Sequence, residues 1–190
     1  MDPEQIMPPI EVDKEEINQW GGSSKQRQER DEYDKHMCER FPKIFRERNL
    51  PMNQTCMCWG FDIQRGWYKL VEELCEKLQL IDDTVGFEVV AVQVKEKFAR
   101  VCFYFNVIQG PNCKITDKDE QLKWYNIISD IVDHAEAKSY HICEECGNYG
   151  EVRNDFYWIQ TLCDKHYEEE KKIQGVVDKF PETTSKNEES

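Results

Sequence analysis

The sequence contains no apolar run approaching the roughly 20 consecutive residues that a membrane-spanning helix requires. It begins with acidic residues and prolines, where a secretory signal would place a basic and then an apolar stretch. Both absences lead to the expectation of a protein without membrane contact that acts in the cytoplasm. Positive charge is scarce: 25 Lys and Arg face 38 Asp and Glu, a formal net charge of -13. Such a chain repels phosphate backbones unless its basic residues segregate onto one face. Internal repeats are absent too, and 190 residues with 39% hydrophobic content fit one compact domain with tails rather than a collagen, a coiled coil or a wholly disordered chain. Nine cysteines are present, but their odd number, their unequal spacing and the missing signal favour reduced thiols over a disulfide framework.

Residues 1–30 combine Pro3, Pro8, Pro9, Gly21, Gly22, Ser23 and Ser24 with many charges and are expected to form a mobile N-terminal arm. From Asp31 to Arg48 apolar residues are scattered, and Pro42 is expected to start or interrupt a helix. Trp67, Leu70, Val71, Leu74, Cys75 and Leu78 then recur at helical offsets, which predicts an amphipathic helix with one buried face. The stretch FEVVAVQVK, and the alternation of Val101, Phe103 and Phe105 with Arg100, Cys102 and Tyr104, predict two strands joined near Glu96 and Lys97 as an antiparallel hairpin. Gly110-Pro111-Asn112 ends it, Thr116 with Asp119 three residues on predicts a capped helix start, and Trp124, Ile127, Ile128, Ile131 and Ala135 form a second stripe running to about Ser139. The expected fold class is α+β. A small α-β-β-α core occupies residues 31–140, a treble-clef-like zinc module residues 141–173, and a disordered acidic tail residues 174–190.

The chemistry concentrates in that module. Cys143-x-x-Cys146 and Cys163-x-x-His166 supply four soft or borderline donors in two pairs, the set that one tetrahedral Zn2+ requires. Gly147 permits the tight reversal of a metal-binding knuckle. Gly150 to Thr161 can form a hairpin that turns near Asn154-Asp155, with Tyr157, Trp158 and Ile159 in the returning strand, and His166 falls on the first turn of the next helix. Four protein ligands close the coordination shell, so a structural zinc is favoured over a catalytic one.

Competing readings are weaker. His134-Ala135-Glu136 before Cys143-x-x-Cys146 resembles a zinc deaminase, but only six residues separate Glu136 from Cys143 and no proline precedes Cys143. A treble-clef nuclease needs a histidine base on the hairpin, and Gly147 to Leu162 contains none. Cys56-Met-Cys58 with His36 and Cys38 offers a second metal site, against which stands the packing of Cys56, Cys58 and Trp59 beneath the first amphipathic helix, like Cys75 and Cys102 in the core. Cys113 reads as an exposed loop thiol. Phe103, Tyr104 and Phe105 read as core residues rather than a base-stacking surface. Lys95, Lys97 and Arg100 read as a solvated hairpin tip, with Lys43, Arg46 and Arg48 a second, weaker basic cluster.

The segments ERFPKIFRERN, TCMCWGFDI, RGWYKLVEELCEKLQ, AVQVKEKF with FY, CEECG and TLCDKHY, in this order, resemble an uncharacterised family of small proteins from tailed bacteriophages and prophage-bearing bacteria, over about residues 40–167. Ile63-Gln64-Arg65 before Gly66, and Ala99-Arg100 after Phe98, depart from glycine-containing turns of that family. The resemblance implies a phage accessory protein in the host cytoplasm and brings no activity with it. The expected function is therefore non-enzymatic binding of a host or phage protein by a zinc-stabilised module, with counter-defence as one role. Alternatives are a nucleic-acid-binding zinc-finger protein, a nucleotide-signal sponge, and an enzyme assembled from scattered residues such as Glu96, His134 and His141.

Overall fold

The computed structural model describes residues 24–174. The expected arm before residue 24 and the expected tail after residue 174 lie outside the described residues. Helix α1 (Ser24–Arg40) takes in residues 24–30, which were expected to belong to the arm. Its polar composition hides a narrow apolar stripe, Tyr33 and Met37, one turn apart and both buried. The contacts that hold it come from elsewhere in the chain: Tyr33 stacks on Tyr68 with ring centroids 3.8 Å apart, and Arg40 bonds to Glu72 and Glu76. Pro42, which has no N–H to extend the helix, lies just past its end. The chain around it buries Phe41, Ile44 and Phe45. The Arg48 guanidinium then spans Asp34 at 2.6 Å and the Cys58 carbonyl at 2.7 Å, tying this turn back to α1.

Helix α2 (Tyr68–Val85) follows the expected stripe, and every residue of that stripe, from Trp67 to Leu78, is buried. It ends at Gly86, whose φ of 85° lets its N–H reach the Ile81 and Asp82 carbonyls. A Cβ there would stand 2.5 Å from the Cys113 amide nitrogen, so the immediate reversal into the sheet requires glycine.

The predicted hairpin is present as β2 (Phe87–Glu96) and β3 (Val101–Gln109), with a register shift between Ala91 and Gln93. A third strand, β1 (Phe61–Asp62), pairs in parallel with Val94 and Lys95 and makes β2 the central strand. Phe87 to Ala91 are buried at every position, and the Ala91 N–H donates to the Ile44 carbonyl at 2.8 Å. Helix α2 packs on β2, and helix α3 (Lys118–Ser139) on β3 and α2. The cap of α3 is Asp117, one residue after the expected Thr116, and its carboxylate accepts the Glu120 N–H at 2.9 Å. Ile128 and Val132 are its buried apolar residues, whereas Ile127, expected in the stripe, faces solvent.

Helix α3 also covers part of the free edge of β3. The Ser139 hydroxyl accepts the Val101 N–H at 3.0 Å, and Glu136 accepts the Phe103 N–H at 2.7 Å and the Arg100 guanidinium at 2.6 Å. These bonds remove donors that would otherwise invite another strand. Burial outweighs them at Glu136 and holds its carboxyl above the ordinary carboxylate range. Replacing Glu136 with alanine leaves both donors without their acceptor and is expected to cost about 1–3 kcal/mol in urea unfolding. An unchanged midpoint would show that the edge is held by other means.

Candidate metal centre

Beyond α3 the chain forms a knuckle, a hairpin and a helix: residues 143–147, then β4 (Glu151–Arg153) paired with β5 (Gln160–Leu162), then α4 (Asp164–Gln174). The knuckle closes through the Gly147 N–H, which donates to the Cys143 carbonyl at 2.8 Å. Gly147 sits at φ 77°, a conformation glycine adopts without a steric cost. The hairpin turn is longer than expected. Tyr157, Trp158 and Ile159 lie in the turn rather than in the returning strand, which begins at Gln160. Phe156 is the turn residue that enters the interior.

This arrangement brings together all four residues anticipated as ligands. Cys143, Cys146, Cys163 and His166 place one donor atom each within 4.8 Å of one another. Cys146 Sγ lies 3.8 Å from Cys163 Sγ, and His166 Nδ1 lies 3.4 Å from Cys143 Sγ and 3.2 Å from Cys163 Sγ. A tetrahedral ion with metal–sulfur bonds of about 2.3 Å and a metal–nitrogen bond of about 2.0 Å gives edges of roughly 3.8 Å between sulfurs and 3.5 Å between sulfur and nitrogen. The cluster thus has the dimensions of a site for one metal ion.

Its surroundings act on two of the thiols in opposite directions. Burial pushes the Cys143 thiol up to about 11, while the amides of Cys163, Cys146 and Glu145 oppose that shift. At Cys163 burial also acts upward but is outweighed by the His166 amide and the neighbouring thiols, which hold it down to about 7. His166 turns its other ring nitrogen toward Glu169, 3.8 Å away, as a ligating histidine does with its second nitrogen. The module's own apolar core is limited to Cys143, Phe156 and Leu162, flanked by Cys163 and Tyr167, so cross-linking by a metal would supply what packing does not.

The module is joined to the core rather than tethered beside it. The Gly66 N–H donates to the Glu144 carbonyl at 2.7 Å, Arg65 Nε to the Glu145 carbonyl at 2.8 Å, and Trp67 Nε1 to the Ile142 carbonyl at 2.8 Å. A Cβ on Gly66 would stand 2.1 Å from the Cys143 carbonyl oxygen. On the other side of the module, the Thr161 hydroxyl donates to the Ala99 carbonyl at 2.7 Å. Glu144, between two ligand cysteines, is almost fully buried; desolvation raises its carboxyl to about 8, although it accepts a bond from Gln160.

Other residues singled out from the sequence do not converge. Cys58 donates to the Thr55 carbonyl, Cys38 to Asp34, and His36 meets Glu72. Cys56 and Trp59 are exposed, against the expected packing, because Met57 between them fills the core position. Cys75 and Cys102 are buried as expected, while Cys113 is half-buried against the core rather than exposed. Glu136 serves the β3 edge and His134 faces solvent. His141 stacks on Tyr149, and Glu96 accepts the Ala99 N–H. The basic cluster near Lys43 is consumed internally: Lys43 pairs with Asp82, Arg46 with Glu88 and Arg48 with Asp34. Phe103 is buried, whereas Tyr104 faces outward.

No helix among the described residues is long and apolar enough to cross a membrane. No protein-family model, curated protein or solved structure matches the chain.

The docking geometry leads to a direct test. Gly66→Ala is expected to push the knuckle off the Arg65–Trp67 turn, shifting the Trp67 indole N–H resonance and exposing that ring to a soluble quencher. An unaltered Trp67 signal in the variant would contradict this packing.

Proposed function

We propose that the protein is a zinc-stabilised, non-enzymatic binding protein whose partner is a host or phage protein. The observation that carries this reading is the closed shell of Cys143, Cys146, Cys163 and His166 at tetrahedral spacing. Three thiolates and one imidazole favour zinc among the divalent metals of the cell. Four protein ligands leave no coordination position for water or substrate, and the scattered acid and histidine candidates serve separate structural contacts or face solvent. The ion's contribution would be to hold the knuckle, hairpin and α4 in one geometry, with the three sulfurs and His166 Nδ1 as its ligands.

A protein partner fits the net charge of -13 better than a phosphate backbone does, and the pairing of Lys43, Arg46 and Arg48 removes one basic cluster from that role. The placement as a phage accessory protein in the host cytoplasm rests on the ordered segments between about residues 40 and 167, and a part in counter-defence rests on that placement. A nucleic-acid partner is the alternative supported by Lys95 and Lys97, which form no ion pair among the described residues.

Native mass spectrometry of protein purified without chelator is expected to show one zinc per chain, and Cys163→Ala to show none. A metal-free wild-type chain that keeps its fold would overturn the structural role. Capture of partners at raised salt and after nuclease treatment is expected to retain a protein; complete loss under those conditions would move the assignment to nucleic acid.

A further inference from the structure

We infer that the cleft between the β2–β3 turn and the β4–β5 turn is a docking site for a partner polypeptide segment that presents an apolar or aromatic side chain flanked by carboxylates. This inference rests on the binding-protein reading and identifies where the partner binds and what kind of segment it presents. The cleft has a volume of about 430 Å³. Phe98 and the lysines beside it form one wall, and Tyr157, Trp158 and Ile159 form the other.

Phe98 is the residue that stability does not explain. Phe98 and Ala99 are consecutive non-glycine residues with positive φ, 53° and 64°, in a turn closed by the Lys97 N–H on the Arg100 carbonyl at 2.8 Å. A two-residue turn of this kind selects Asn-Gly, because a Cβ in the left-handed region meets the backbone. Ala99 has compensation: it is fully buried, its N–H donates to Glu96, and its carbonyl accepts the Thr161 hydroxyl. Phe98 is not buried in return: the residue is 66% exposed, and its ring is faced by the neighbouring Lys97 ammonium. Across the cleft Tyr157 is 82% and Trp158 59% exposed. Strained, exposed residues and clustered large aromatics are characteristic of binding sites, where such rings contribute most of the affinity.

The cleft is preformed. Trp158 Nε1 donates to Glu96 at 3.3 Å, and the Thr161–Ala99 bond joins the two walls at their base. Because one wall belongs to the hairpin whose far end carries Cys163, its geometry depends on the metal cluster. The charge at the rim sets the flanking chemistry. Lys95 and Lys97 have no carboxylate partner among the described residues, and their ammonium groups lie 5.9 Å from the Tyr104 ring centroid and 5.4 Å from that of Phe98. An apolar side chain with neighbouring Asp or Glu would satisfy rings and lysines together. A nucleic-acid strand fits less well, because its phosphate at every nucleotide would meet the Glu96 carboxylate and the acidic chain repeatedly, whereas one or two carboxylates can face Lys95 and Lys97 alone.

The test is a selection from a random displayed-peptide library on the full chain, after native mass spectrometry has confirmed one zinc. Enriched peptides are expected to share an apolar or aromatic residue with adjacent Asp or Glu, and to bind about tenfold more weakly to Phe98→Gly and to Tyr157→Ala. Phe98→Gly relieves the left-handed conformation, so its thermal midpoint is expected to stay unchanged or rise, which separates lost binding from lost fold. Peptides without acidic neighbours, binding indifferent to both substitutions, or no enrichment at all would overturn the docking site. So would saturable binding of oligothymidylate that depends on Phe98 and Tyr157, which would assign the cleft to nucleic acid. A zinc-free protein at the outset would instead overturn the functional reading on which the proposal stands.

Discussion

Between Gly66 and Cys143 two backbones come so close that a single methyl group would collide with a carbonyl oxygen. The carbonyls of residues 142, 144 and 145, at the knuckle and just before it, are taken up by donors from three successive residues, Arg65 to Trp67. The donors belong to the turn that leads into α2. The module that carries the ligands is therefore positioned by the turn that leads into α2, and its position in turn fixes where the hairpin loop lies against the β2–β3 turn.

The functional consequences run along that chain of contacts. The ligand cluster organises a segment with little apolar interior of its own, the knuckle docks on Arg65–Trp67, and Thr161 and Trp158 reach Ala99 and Glu96. The surface built at that second contact carries the exposed aromatics Phe98, Tyr157 and Trp158. Ligand cluster, knuckle contact and cleft are thus connected, so that a bound metal would contribute geometry and the cleft would contribute recognition.

Much of this was legible in the sequence where one short segment carries the whole signal. The α2 stripe, the β2–β3 alternation and the two ligand pairs each fall within one stretch of chain, and the structure brings all four ligand residues together. What escaped depends on partners distant in sequence. Helix α1 is polar except for Tyr33 and Met37 and is held by Tyr68, Glu72 and Glu76, so its first turns read as an arm. Strand β1 has two residues, too few for an alternation, and exists through parallel pairing with β2. In the β4–β5 turn, Phe156 is buried while Tyr157 and Trp158 are exposed, an inversion that hydrophobicity does not reveal because the cavity for one ring is created by Tyr167 and Leu162 from later in the chain. The contact between the residues on either side of position 141 also escaped, because Gly66 reads as one more glycine until its neighbour is known.

The central claim is that a bound metal organises residues 141–174 and, through them, the β2–β3 turn, while the helices and sheet of the core stand without it. Amide hydrogen exchange followed by mass spectrometry, with and without a strong chelator, tests this most directly. Loss of protection confined to the knuckle, the β4–β5 hairpin, α4 and the turn at Lys97–Arg100, with α2 and β2 still protected, is the expected result. Unchanged exchange in the module after complete metal removal would contradict the claim.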